Sequence, residues 1–258
     1  MKPALFAITL GYTVVLVLSQ STPPDIQNSF MLSCKAIITP SGSCPNGWTG
    51  FKNSFANKNP NTMQIRDYDA YFAVFPIPSA IKGILLWSGL QDLAAQVSKK
   101  AAGRVTSSST LTSSLIIDDM QTKRRVHTWC GKVGVPGGID FVNPCPQFIP
   151  NTPVFTFWAA LSQNLASSSD DVVFYLTPGR YSPNNFFGLY ELPALLKTGS
   201  KAKLLAVLNV PGGNKCGEGQ LRDLATAVRQ GRPSLQYKCY DTDGSVDALV
   251  KIIKSYIP

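Results

Sequence analysis

The stretch IKGILLWSGLQDLAAQVSKKAAG, Ile81 to Gly103, decides the fold class. Its first part, Ile81 to Gly89, is a short apolar run closed by a glycine, the pattern of a strand buried on both faces of a parallel sheet. The part that follows puts Leu93, Ala94 and Val97 on one face and stops at Gly103, as an amphipathic helix with a C-terminal glycine does. A strand that turns directly into a helix is the repeating unit of parallel α/β architecture. The same alternation returns downstream. TFWAALSQNLA reads as a helix, DDVVFYLTPG as a strand running into a turn, KAKLLAVLNVPGG as a second strand and turn, GQLRDLATAVRQG as a helix and PSLQYKCYD as a last strand.

Upstream the pattern is different. From Phe30 to Tyr71 short apolar clusters alternate with the turn signals TPSGS, PNG and NKNP, which reads as short helices joined by loops. The serine-rich VTSSSTLTSS is a loop or the approach to a helix. The expected architecture is α/β, with a mostly helical domain over 20–80 and 107–157. An α/β domain over 81–106 and 158–258 carries a small parallel sheet of about four strands flanked by helices.

Composition narrows the setting. The chain opens MKPALFAITLGYTVVLVLSQ, with Lys2, an apolar run to Leu18 and small residues beyond it, which reads as a secretory signal peptide over residues 1–19. The run is short for a bilayer span and is broken by Thr9, Gly11, Tyr12 and Thr13, and DALVKIIKSYIP at the other end lacks the spacer and apolar tail of a lipid-anchor signal. The expectation is a secreted protein or one held in a secretory granule lumen, without a stable membrane anchor. The formal net charge of +9 suits phosphate-rich small molecules. KRR at Lys123 to Arg125 has no aromatic interleaving and no nucleic-acid reading module around it, so nucleic acid is not expected as a partner. Six cysteines in a secreted chain imply disulfides, with fifteen pairings open. No C-x-x-C pair accompanies the one histidine, His127, and no metal site is expected.

The usual catalytic devices fail one by one. His127 is the sole base for a nucleophile triad and lies beside TWC, in a packing context. The glycines of GVPGGID and NVPGGNKCGEG do not form G-x-G-x-x-G between strand and helix. Asp118 and Asp119 read as a helix cap or a solvated face. NNFFGLYELPAL, Asn184 to Leu195, is more informative, because it sets the carboxylate of Glu191 among aromatic and aliphatic neighbours. An acid in such surroundings is paired, turned to water on a short helix, or kept for chemistry. Trp87 ends an apolar strand and Trp158 opens a helix. Ligands of open α/β sheets bind beyond the carboxyl ends of the strands, where two indoles and an acid could hold a flat cationic ring.

Six stretches together carry a resemblance: LLWSGLQDLA (Leu85 to Ala94), TWCG (Thr128 to Gly131), NPCPQF (Asn143 to Phe148), FTFWAALS (Phe155 to Ser162), FFGLYELPAL (Phe186 to Leu195) and CGEGQLRDL (Cys216 to Leu224). In this order and spacing the chain resembles the ADP-ribosyl cyclase / cyclic ADP-ribose hydrolase family, its molluscan members most closely. The resemblance implies that Glu191 is the catalytic glutamate and that Trp87 and Trp158 position nicotinamide and purine. It also implies that Ser162 contacts phosphate, that Phe187 lines the pocket, and that Ser88 and Ile116 complete the substrate-binding set. It implies NAD or NADP as substrate and no cofactor, cyclic ADP-ribose, ADP-ribose and base-exchange products, and the disulfides Cys34–Cys44, Cys130–Cys145 and Cys216–Cys239. A small-molecule nucleotide is then the partner, and a homodimer is compatible with it.

Two departures stand out. Where the family carries T-L-E-D-T, this chain has Ser114, Leu115, Ile116, Ile117 and Asp118, so Ile116 replaces an acid unless a short slip brings Asp118 into its place. Two cysteines that relatives join are both absent, one after K-N-P, where Asn61 stands, and one in QFIPN. The readings that follow are an active NAD-cleaving enzyme, or a divergent member that binds nucleotide or a partner with little turnover.

Overall fold

Hydrophobic runs too continuous for a two-faced helix pair into one sheet at the centre of the chain. The computed structural model describes residues 25–79, 81–101, 103–130 and 149–258; the expected leader over residues 1–19 lies outside them. Its helices and strands run in the order α1 (Ile26–Ile37), α2 (Cys44–Phe55), α3 (Asp69–Val74), β1 (Ile81–Trp87), α4 (Gln91–Lys100), β2 (Thr106–Ser107) and α5 (Thr112–Thr122). After them come α6 (Pro153–Ser167), β3 (Ser169–Thr177), α7 (Leu192–Leu196), β4 (Leu204–Asn209), α8 (Gly219–Gly231), β5 (Gln236–Asp241) and α9 (Val246–Tyr256).

All strand pairs are parallel, in the order β2-β1-β3-β4-β5. Sequence reasoning expects about four strands, and the additional one is β2, two residues inside the serine-rich stretch read as a loop. So short a strand carries no periodic signal. Its approach to β1 depends on Gly83, where a Cβ would stand 2.6 Å from the Arg104 carbonyl oxygen. The C-terminal DALVKIIKSYIP forms α9, whose Leu249, Val250 and Ile253 are buried.

Strand alternation separates two apolar clusters. Leu85, Phe174, Leu176, Ala206 and Leu208 join Ala94 and Val97 of α4 and the buried face of α9. Ile84, Leu86, Val173, Tyr175, Leu205 and Val207 face the other way, into the larger cluster with Phe157 and Leu161 of α6, Leu195 of α7 and Leu224 of α8. That cluster continues into α1, α2, α3 and α5 through Phe30, Phe51, Tyr71 and Ile116. Because one core runs through both parts, the division into a helical domain (20–80 and 107–157) and an α/β domain (81–106 and 158–258) stays a proposal.

The helical part is held by stacked and edge-on aromatic rings with their polar atoms satisfied. The Tyr68 hydroxyl donates to the Pro153 carbonyl at 2.7 Å and accepts from the Trp129 indole N–H at 2.9 Å. Tyr71 donates to the Ser113 carbonyl at 2.7 Å. Phe157 packs edge-on to Tyr68, Tyr71 and Trp129, with centroids 5.3, 5.7 and 6.1 Å away, so α6 enters this cluster through one completely buried ring. The disulfide Cys34–Cys44 joins α1 to α2, and Cys216–Cys239 joins the loop before α8 to β5. Cys145, and with it the expected Cys130–Cys145 bond, lies outside the described residues.

Phe157 is therefore the ring that ties α6 to this cluster. Phe157→Ala is expected to destabilise the protein by about 3–5 kcal/mol, the range for a buried Phe truncated to leave a cavity, read as a lower urea midpoint at unchanged slope.

Candidate active site

In a parallel sheet the carboxyl ends of all strands open on one edge, and the helices that follow start there. Register sets Leu86 beside Tyr175, Trp87 beside Leu176, Thr177 beside Asn209 and Asn209 beside Asp241 along that edge. Trp87 is partly exposed and packs against the cluster on the α4 side. Ser88 follows it, and its backbone N–H donates to the Leu176 carbonyl at 3.1 Å.

Trp158 and Ser162 lie four residues apart, on one face of α6, and both are partly buried. Trp158 meets Phe157 edge-on at 5.2 Å. Phe155, one turn earlier, meets Phe186 at 5.5 Å and Tyr190 at 5.7 Å, which ties α6 to the segment that carries Glu191.

That segment is a single turn of π-helix, Phe187–Glu191, running into α7. Its cause is local. Pro193, in the first turn of α7, has no N–H and in a regular helix its ring would clash with the carbonyl four residues back. The chain widens instead, and the Leu192 N–H donates to the Phe187 carbonyl five residues back. Gly188 lets this turn sit against the preceding loop, since a Cβ there would be 2.2 Å from the Ser182 carbonyl oxygen and 2.8 Å from Pro183 Cα. The Gly188 N–H donates to the Asn185 side-chain carbonyl at 2.8 Å.

Glu191 ends the turn with 4% of its surface exposed, and its Oε2 has no hydrogen-bond partner. Burial pushes its carboxyl up to about 8, and the Ser162 hydroxyl beside it pulls more weakly toward the charged form. The polar-helix-face reading of Glu191 does not survive this burial. Phe187 is buried too and stacks on Tyr175 with centroids 3.7 Å apart and planes 13° from parallel.

Of the residues expected in the site, the structure brings Glu191, Ser162 and Phe187 together directly, and sets Ser88 beside Tyr175, the residue stacked on Phe187. Trp87 and Trp158 lie on the strand end and the helix that frame them. Ile116 is completely buried in the larger apolar cluster, and Asp118 is half-buried, its carboxyl pushed up first by burial and then by Asp119. Asp119 pairs with Lys123 at 2.6 Å and with Arg124 at 3.6 Å, a structural role. His127 is exposed. Tyr175 escapes the sequence reading, because a tyrosine inside an apolar strand looks like any other core residue. Its polar tip at a buried position next to a strand end is the available signal.

The sheet and its carboxyl edge, with a buried acid on a widened helical turn, are those of an α/β protein with a candidate site beyond the strand ends. A model of the ADP-ribosyl cyclase family matches residues 25–254, and the chain belongs to that family of enzymes. It is 29% identical over 226 residues to an ADP-ribosyl cyclase/cyclic ADP-ribose hydrolase of Aplysia kurodai, covering 80% of this chain and 76% of the relative. The corresponding mouse protein is 24% identical over 92% of this chain and 82% of its own length. Among solved structures, Aplysia cyclase complexed with substrate NGD and product cGDPR superposes with a TM-score of 0.66 at 25% identity, covering 88% of this chain and 92% of that one.

The raised pKa of Glu191 fixes the sign of a stability effect. Between the unfolded value near 4.5 and the folded value of about 8 the folded chain holds a proton that the unfolded chain has lost, so stability falls as pH rises through that window. Glu191→Gln removes this dependence. Melting curves from pH 5 to 9 should show the variant more stable than the wild type at pH 8 to 9, by roughly a few kcal/mol, with the gap closing toward pH 5.

Proposed function

We propose that this protein is a secreted enzyme that breaks the nicotinamide–ribose bond of NAD and forms cyclic ADP-ribose, with ADP-ribose and base-exchange products beside it. The observation that carries the proposal is the buried carboxyl of Glu191 next to the Ser162 hydroxyl, with Trp87 at the end of β1 and Trp158 on the same helix as Ser162. Family membership supports the same reading, as do the substrate NGD and the product cGDPR held by the related Aplysia cyclase.

The chemistry follows from charge. Nicotinamide leaves as a neutral base, C1′ of the ribose takes on oxocarbenium character, and a carboxylate in a low-dielectric site stabilises that developing positive charge. The indole faces of Trp87 and Trp158 attract the pyridinium cation and orient it. Ser162, on the face of α6 turned to Glu191, favours the ionised carboxylate and suits a phosphate contact. Burial favours the protonated form of Glu191 at neutral pH. A bound pyridinium cation opposes that protonation, so substrate itself generates the active carboxylate.

The competing reading, a divergent member that binds nucleotide with little turnover, draws on Ile116 standing where the family pattern places an acid. Incubating the protein with NAD and separating the products by chromatography distinguishes the two. The expected result is NAD consumption with cyclisation favoured over hydrolysis, because a hydrocarbon at position 116 excludes water better than an acid. Glu191→Gln should lower turnover by roughly 100-fold or more while nucleotide binding persists. In the wild type, kcat/KM should fall with decreasing pH along a limb near 8, and the limb in kcat should lie at lower pH, since the cation in the complex favours the carboxylate. Full activity of Glu191→Gln would remove Glu191 from the chemistry.

A further inference from the structure

The helical segment that carries Glu191 is fastened at its start by Asn185, a side chain that the chemistry of NAD cleavage leaves without a role. Phe186 already has helical backbone angles, φ −58° and ψ −42°, so the segment begins there and Asn185 stands directly before it. Asn185 is half-buried and bonds in both directions. Toward the turn Phe187–Glu191, its backbone carbonyl accepts from the Leu189 N–H at 2.9 Å and its side-chain oxygen accepts from the Gly188 N–H at 2.8 Å. The second of these is the bond of a helix N-cap. Toward the preceding loop, its N–H donates to the Ser182 carbonyl at 3.1 Å, and the Asn184 N–H donates to the Ser182 hydroxyl at 3.1 Å. That loop is itself fixed. The Tyr181 N–H donates to the Gln220 side-chain oxygen on α8 at 3.1 Å. The Arg180 carbonyl accepts from two hydroxyls of β3, Tyr175 at 3.2 Å and Thr177 at 2.7 Å.

A continuous set of hydrogen bonds thus runs from β3 and α8 through the loop to Asn185, and from Asn185 into the turn that ends at Glu191. Gly188 and Glu191 are three residues apart in that turn, so a shift at the first is carried to the second. A carboxylate that must meet one developing charge is sensitive to such shifts, because a displacement of about 1 Å can cost on the order of 100-fold in rate. We infer that Asn185 is a positioning residue: by capping the Gly188 N–H it holds the turn to the loop after β3 and so sets where the Glu191 carboxyl stands. This rests on the reading of Glu191 as the catalytic carboxylate. Without the side-chain oxygen the Gly188 N–H loses its acceptor, the start of the turn loosens, and Glu191 no longer meets C1′ of the ribose squarely. Trp87, Trp158 and Ser162 hold the nucleotide from β1 and α6, elements that Asn185 does not fasten. The loss therefore falls on kcat and not on KM.

The test is steady-state NAD cleavage by Asn185→Ala and Asn185→Ser, each assayed well below its own melting midpoint. Asn185→Ala should lower kcat about tenfold with KM changed by less than about twofold. Asn185→Ser should recover most of that loss, since a serine hydroxyl caps a helix as well as an asparagine does. The readout that a merely structural role would not give is the double variant. In the Glu191→Gln background Asn185→Ala should change the residual turnover by less than about twofold, because the carboxylate it positions is already gone. If Asn185→Ala is insoluble, Asn185→Gly removes the same acceptor at a smaller cost to the helix and is read in its place. An unchanged kcat in Asn185→Ala, no recovery in Asn185→Ser, or a further tenfold loss in the double variant overturns the inference while leaving NAD cleavage by the wild type intact. A wild type that cleaves no NAD, or a Glu191→Gln variant that cleaves it normally, overturns both the functional reading and this inference.

Discussion

Taking a carboxylate out of water costs several kcal/mol unless its charge is met or its proton retained. Glu191 is kept in that state by its surroundings. Pro193 forbids a regular helical turn, Gly188 lets the widened turn lie against Ser182 and Pro183, and Phe187 anchors its start on Tyr175. Each constraint acts on backbone or ring, so the side chain of Glu191 has little freedom to swing outward. The result is a carboxyl whose proton is held by burial, with the Ser162 hydroxyl beside it.

The rest of the molecule can be read as support for that arrangement. Helix α6 carries Ser162 and Trp158 toward the edge and Phe157 into the aromatic cluster, so the rings of Tyr68, Tyr71 and Trp129 fix its rotation. The parallel register of β1, β3 and β4 brings the ends of all three strands to one edge. The two described disulfides, one between α1 and α2 and one between the loop before α8 and β5, stiffen the elements they join.

Much of this is legible in the residues alone. Ile81 to Gly103 announces a buried strand and an amphipathic helix, and both are present as β1 and α4. The later strands are equally plain, because continuous runs such as LLAVLN can be satisfied in few ways other than a two-sided sheet. Glu191 stands out as an acid among rings. The two-residue β2 does not, since a strand that short is defined by its neighbour's hydrogen bonds and not by its own side chains. Nor does α9, whose two lysines in DALVKIIKSYIP obscure a face that becomes apolar only when wound at 3.6 residues per turn.

The sequence by itself determined the class of architecture, the four longer strands of the sheet and the identity of the conspicuous acid, because these follow from periodicity and from the cost of burying charge, which are local properties. Tertiary structure alone decided that Glu191 is buried without a partner for Oε2, that Ser162 is the hydroxyl beside it, and that Tyr175 stacks on Phe187. Those facts depend on strand register and helix rotation, which are set by packing between segments far apart in the chain, and no local pattern encodes the rotation of one element against another.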